Sequence, residues 1–259
     1  MNLLFIGDVI GSPGRRALRE GLGGVIDRKK IDFTVANVEN AAGGFGVTMD
    51  TYREMNEMAI DVFTSGNHIW DKKDFVPHLD ELDNLIRPAN YPPGNPGKGW
   101  VVRPTASGIP VGVINLMGQV YMPNVDSPFR CVDDLLAREK FPKIIFVDMH
   151  AEVTSEKNAM GHHLDGRVSA VAGTHTHIPT ADERILPGGT GYLTDVGATG
   201  PYDGIIGFKK GPILEKFLTQ TPRSFEVATK DIRLSCVVFT IDEESGKTTA
   251  VERFQVRVD

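Results

Sequence analysis

The sequence predicts an α/β protein organised as one domain of 259 residues around a parallel sheet. Three observations lead there. Short continuous apolar runs of strand length recur, as expected of strands buried on both faces. Segments with helical apolar spacing separate them. Their order over the first third of the chain is β-α-β-α-β, which calls for right-handed crossovers between parallel neighbours.

Taken in order, residues 3–6 form the first buried run. Ser12 is placed to cap a helix with Pro13 at its first position, continuing over residues 15–30 with Leu18, Leu22, Val25 and Ile26 on one face. Residues 33–38 are a second buried strand, Thr48 or Asp50 opens a second helix through Tyr52, Met55 and Met58, and residues 61–65 are a third strand. Residues 87–99 hold four prolines and three glycines and read as an ordered loop or a connection between sheets. Strands follow at residues 111–117 and 143–149, with a helix near 132–139 between them. A helix at 154–163, strands at 168–173 and 191–195, and a helix near 213–218 come next. Residues 233–241 and 248–258 alternate like an antiparallel pair joined by the turn Glu243-Glu244-Ser245-Gly246. No repeat, low-complexity tract or linker divides the chain.

Composition narrows the classes. Hydrophobic residues at 41% and charged residues at 24% are ordinary for a globular protein, and a net charge of −6 argues against an extended nucleic-acid surface. It leaves room for a small phosphorylated substrate whose charge is met by metal ions. Cys131 and Cys236 are expected as reduced thiols. The apolar run at the N-terminus is too short and lacks the basic flank of a signal peptide, and no stretch is long enough to span a membrane. A soluble, cytoplasmic protein is the expectation.

The polar residues are informative by position. Asp8 follows the first strand, Glu39 and Asn40 the second, and Asn67 and His68 the third. His150 follows the strand at 143–149, and His175 and His177 follow the strand at 168–173. Ligands of open parallel sheets bind at the carboxyl ends of strands, so five strand ends deliver O and N donors to one rim. Singly, each is more simply a turn residue, a helix cap or a satisfied histidine. Together they concentrate five of seven histidines at or near the rim, with His163 counted among them and His78 and His162 left as surface residues. Carboxylate, amide and imidazole donors suit two transition-metal ions, Fe or Mn, with Zn also compatible. Seven donors exceed the needs of one tetrahedral ion, and Glu39 is the natural bridge between two ions in a phosphoryl-transfer site.

The blocks Gly7-Asp8-Val9, Glu39-Asn40, Gly66-Asn67-His68, His150 and Gly173-Thr174-His175-Thr176-His177 resemble those of calcineurin-like metallophosphoesterases. The longer stretches at residues 5–15, 66–73 and 194–204 are similar to the YmdB-like branch. Ile10 and Glu39 depart from the broad superfamily pattern, which carries a histidine and an aspartate there; Asn40 stands in for the missing histidine. The resemblance implies a four-layer α/β/β/α sandwich, phosphodiesterase activity on 2′,3′- or 3′,5′-cyclic nucleotides by metal-activated hydroxide attack, and a homo-oligomer, dimer or tetramer. It also implies one ion on Asp8, Glu39, Asn40 and His177, and a second on Glu39, Asn67, His150 and His175. His68, beside a ligand, is expected as the general acid. Asp71 either orients His68 or caps a helix.

Two other readings stay open at this level. Gly7, Gly11 and Gly14 loosely imitate a dinucleotide fingerprint, but at the wrong spacing and with no role for the histidines. The donors are equally compatible with a non-catalytic protein that binds metal or nucleotide for regulation.

Overall fold

The structure, a computed structural model, describes residues 1–258. In chain order the elements are β1 (Asn2–Ile6), α1 (Gly11–Lys29), β2 (Phe33–Asn37), α2 (Met49–Asn56), β3 (Val62–Thr64), β4 (Trp100–Pro104), β5 (Pro110–Met117), α3 (Pro128–Arg138), β6 (Ile144–His150), α4 (Thr154–His163), β7 (Ala170–Thr174), β8 (Arg184–Ile185), β9 (Gly191–Leu193), β10 (Gly200–Pro201), α5 (Lys210–Thr219), β11 (Ile232–Ile241) and β12 (Thr248–Val258).

They form two mixed sheets rather than one. The first runs β10-β11-β1-β2-β3, with β12 paired to β11; the second runs β4-β5-β6-β7-β9-β8. Strands β1, β2 and β3 are mutually parallel, as are β5, β6, β7 and β9. The C-terminal hairpin is antiparallel, as its alternation predicts, and it lies against β1 to extend the first sheet.

Period-two alternation sorts side chains into layers. Leu3 and Phe5 of β1 face Val111, Val113, Ile144 and Phe146 of the second sheet, and the Phe5 and Phe146 rings meet at 4.7 Å between centroids. A pair of this kind contributes about 0.5–1.5 kcal/mol beyond its area burial. Leu4 and Ile6 point the other way, under Leu18, Leu22 and Val25 of α1 and Met55 of α2. Ile145 and Val147 pack outward beneath Val132 of α3 and Met160 of α4. The order helices–sheet–sheet–helices is the α/β/β/α sandwich.

Local departures from expectation have simple causes. Helix α1 begins at Gly11, whose φ of +57° lets the chain turn directly out of β1, so Ile10 is the N-cap and Ser12 caps nothing. Thr48, not Asp50, opens α2, in a reciprocal capping box with Thr51. Strand β4 has no sequence signal of its own: it is a half-exposed edge strand ending in Pro104. The stretch 87–99 does connect the sheets, carrying the chain from a bridge at Phe63–Leu85 beside β3 to the start of β4.

Candidate metal centre

The C-terminal ends of the parallel strands in both sheets open on the same edge of the sandwich. Asp8 lies two residues beyond β1, Glu39 two beyond β2 and Asn67 three beyond β3; His150 is the last residue of β6, and His175 follows β7. Asp8, Glu39, Asn40, His150 and His177 are buried. Glu39, His150 and His175 each present one donor atom within 4.8 Å of the others, so the two sheets supply one cluster jointly.

Hydrogen bonding decides which atoms face inward. The Thr174 hydroxyl donates to Asp148 Oδ1 at 2.7 Å, so its oxygen accepts from His150 Nδ1 at 2.9 Å and leaves His150 Nε2 free for the centre. His177 donates Nδ1–H to the Ile206 carbonyl at 2.9 Å, which likewise frees Nε2. His175 is reversed: Nε2 lies 3.1 Å from Glu152 Oε2, and Nδ1 points at His150. Outer partners of this kind set the tautomer and orientation of metal-binding histidines.

Around His150 Nε2 lie Glu39 Oε1 at 3.1 Å, His175 Nδ1 at 3.1 Å and Asn67 Oδ1 at 3.2 Å. All three are acceptors; a neutral His150, with its proton on Nδ1, offers them none, and a protonated ring offers one proton to the three. Asn40 Oδ1 is buried without a hydrogen-bond partner, and so is Glu39 Oε1 while His150 Nε2 carries no proton. Lone pairs converging in a buried site demand positive charge, from a proton on His150 Nε2 or from a cation. The electrostatics agree. Burial disfavours a charged His150, yet Glu39, Asp8 and Asp148 outweigh it and push its pKa up to about 9. Burial also opposes a charged Glu39, but His150 and His68 hold it down at about 2. Burial, reinforced by the His150 charge, lowers His175 to about 3, and burial raises Asp8. The residues fit a cation. Gly66 adds a steric sign, since a Cβ there would stand inside contact distance of His150 Nε2 and Glu39 Oε2.

His68 donates its backbone N–H to Glu39 Oε2 at 3.0 Å, and its Nδ1 lies 2.8 Å from Asp71 Oδ2. Asp71 therefore orients His68, the first of the two roles the sequence left open. His163 does not belong to the rim: it sits at the end of α4 with its Nε2 hydrogen-bonded to Asp133 Oδ1 at 2.9 Å. It closes α4, which runs back from the rim, and so lies near the start of the parallel strands at the opposite end of the molecule.

Four contributors have no signal in the spacing of the donors. Asp148, a lone carboxylate in the apolar run of β6, accepts from Thr64, Thr174 and Asn37 and so ties the two sheets together beneath the centre. Burial raises its pKa to about 6. Glu152 holds His175. Asp195 and Lys157 form an ion pair at 2.6 Å with both side chains 1% exposed. Asp195 also accepts from the Thr176 hydroxyl at 2.7 Å and from Gly197 N at 2.8 Å. That clamp grips the loop in which His175 and His177 adopt φ of +94° and +66°, strained values for non-glycine residues.

The glycines that imitate a dinucleotide fingerprint have another task. A Cβ on Gly7 would collide with the Gly197 carbonyl and one on Gly14 with that of Thr199, so these glycines make room for the backbone of the 197–199 segment.

A two-sheet sandwich with this donor set at the shared strand ends defines a calcineurin-like metallophosphoesterase. The family model for YmdB-like proteins matches residues 4–254. Over its full length the chain is 48% identical to a 2′,3′-cyclic-nucleotide 2′-phosphodiesterase of Bacillus subtilis (strain 168), 98% of which is covered. The chain belongs to the YmdB-like family. It superposes on a hypothetical protein from Thermus thermophilus with a TM-score of 0.93 at 43% identity, covering 99% of both chains. A structure described as a novel phosphatase, from Mycoplasma pneumoniae, gives a TM-score of 0.94 at 31% identity, covering 99% of this chain and 93% of that one.

Proposed function

We propose that this metal-dependent hydrolase cleaves small phosphodiesters of the cyclic-nucleotide type, 2′,3′- or 3′,5′-, with two Fe or Mn ions, or Zn, per chain. The observation that carries the reading is the convergence of Glu39 Oε1, Asn67 Oδ1 and His175 Nδ1 on His150 Nε2 in a buried site, with Asn40 Oδ1 buried and unpartnered beside them. The 48%-identical cyclic-nucleotide phosphodiesterase supports the substrate class. Asp8, Glu39, Asn40 and His177 would hold one ion; Glu39, Asn67, His150 and His175 would hold the other. The grouping of Asn67, His150 and His175 around Glu39, and the electrostatic closeness of His177 to Asp8, support that division. Bound there, such ions supply charge neutralisation for the phosphoryl oxygens and a nucleophilic water at neutral pH.

The chain's own residues do the rest. The Glu39 carboxylate offers one oxygen to the donor cluster, while the other fixes the His68 backbone. His68, with Nδ1 directed to Asp71, turns Nε2 toward the cleft as the atom that protonates the leaving alkoxide. The Asp195–Lys157 clamp keeps His175 and His177 in conformations they would otherwise leave.

No helix among the described residues is long and apolar enough to cross a membrane. A cytoplasmic location, and the homo-oligomer, dimer or tetramer, that the family resemblance implies, go with this reading; sedimentation velocity tests the second. Elemental analysis of protein purified without chelators tests the centre itself. Close to two equivalents of metal are expected, with activity on 2′,3′-cyclic AMP lost in EDTA and restored by Mn²⁺. Less than half an equivalent after growth in metal-replete medium would overturn it.

A further inference from the structure

The cleft over the metal centre has a volume of about 540 Å³ and two unlike halves. One half is the polar floor of donor residues. The other is an apolar wall formed by Phe45, Ile206, Phe208, Phe217 and Phe225. Its rings are continuous. Phe45 meets His68 edge-on at 4.9 Å and stacks on Phe208 at 5.2 Å, and Phe208 meets Phe225 at 5.9 Å. The aromatic run thus starts in contact with the proposed general acid and leads away from the donors toward α5. Its outer members are uncovered: Phe217 is 70% exposed and Ile206 45%.

A phosphodiester bound at the floor would extend onto this wall. The phosphate cannot cover apolar surface, so the wall calls for a flat apolar group attached to it, and the volume lies within the range of small-molecule sites. Reading a base edge requires donors and acceptors aimed at it. On the wall the one polar side chain is Lys216, and its ammonium lies 5.0 Å from the centre of the Phe225 ring. Aromatic faces bind any base by its π-face and discriminate poorly among bases.

We propose that Phe208, Phe217, Phe225 and Ile206 form a base-stacking subsite that selects nucleoside-bearing diesters over baseless ones while tolerating purines and pyrimidines alike. The proposal rests on the phosphodiesterase reading of the same cleft. It predicts that affinity for the base and chemistry at phosphorus reside in separable residues.

The test uses metal-loaded protein and its Phe217→Ala and Phe225→Ala variants, both at positions that are not buried. Substrates are 2′,3′-cyclic AMP, 2′,3′-cyclic CMP and ethylene phosphate, a cyclic diester with neither base nor ribose, followed by phosphorus NMR. Binding of 2′-AMP and of inorganic phosphate is measured in parallel by calorimetry. Each variant is expected to raise KM for both nucleotides, and Kd for 2′-AMP, by roughly tenfold. Their kcat, their kcat/KM on ethylene phosphate and their phosphate affinity should stay within about a factor of three of the unaltered protein. Unchanged KM and Kd for the nucleotides, or equal losses on ethylene phosphate and phosphate, would overturn the subsite. A more than tenfold preference between the two bases would overturn the tolerance. If the unaltered protein cleaves none of the three diesters, the phosphodiesterase reading falls. The subsite is then judged by 2′-AMP calorimetry alone, where unchanged Kd in both variants rejects it.

Discussion

At Glu39 two demands meet in one side chain. One carboxylate oxygen faces the cluster around His150 Nε2 and the other receives the His68 N–H. Glu39→Gln keeps the size and loses the charge. The expected outcome is a folded protein by circular dichroism, with lowered metal content and activity down by at least about 10²-fold, comparable to losing one strong electrostatic group in a transition state. Unchanged metal would remove Glu39 from the centre. His68 and Asp71 separate differently, because neither is a proposed ligand. His68→Ala should keep most of the metal and lose most turnover, and Asp71→Asn should fall between it and the unaltered protein; metal lost in step with activity would make His68 a ligand. Asp195 is the residue whose importance is structural first. Asp195→Asn leaves the Lys157 ammonium buried against a neutral amide, and breaking a buried pair in this way costs about 3–5 kcal/mol. Urea unfolding measures that cost. The double variant with Lys157→Met, which removes the stranded charge, should recover part of the stability without recovering the grip on the His175–His177 loop.

Elements place these residues by ending where they do. Gly66 follows β3 and precedes the short 3-10 turn Asn67–Trp70, and its missing side chain is what allows the centre to form against the backbone. Gly66→Ala should therefore abolish metal binding while leaving far-ultraviolet circular dichroism intact. Retained metal would mean the neighbouring loop shifts to accept a methyl group. Thr48→Ala provides the contrast. It removes the capping box of α2 and should cost about 1 kcal/mol of stability with metal content unaltered, since the helix packs on the outer face of the first sheet.

For the molecule as a whole, the centre is a joint between two sheets. Metal bound there stabilises the native state by mass action, so stripping it with EDTA should lower Tm in scanning calorimetry, and readdition at a hundredfold over Kd should restore about 2.7 kcal/mol. An unchanged Tm after complete stripping would count against ligands drawn from both sheets. The thiols report on the same compactness. Cys236 is fully buried, and burial together with Asp126 and Asp134 raises Cys131 to about 11. Neither should react with Ellman's reagent within minutes in the native protein, and both should react once it is unfolded.

The sequence by itself determined the long buried strands, the parallel run of the first three and the donors at their ends, because these depend on local patterning. An apolar run of strand length with a polar residue just past it is visible at Ile6–Asp8, Val38–Glu39 and Met149–His150. The terminal hairpin was legible for the same reason. The split into two sheets was not readable from periodicity, since a parallel strand buried on both faces looks the same in either sheet; only the family resemblance carried it. Edge strand β4 escaped notice because partial exposure erases its pattern. Tertiary structure decided the rest. It set Glu39 of one sheet 3.1 Å from His150 of the other and turned His163 aside to Asp133. It also brought Asp148, Glu152, Asp195 and Lys157 in to hold the histidines. Those partnerships join residues 19 to 111 positions apart, from Thr176–Asp195 to Asn37–Asp148. No local rule links such positions, and only the packing of one sheet on the other brings them within hydrogen-bonding distance.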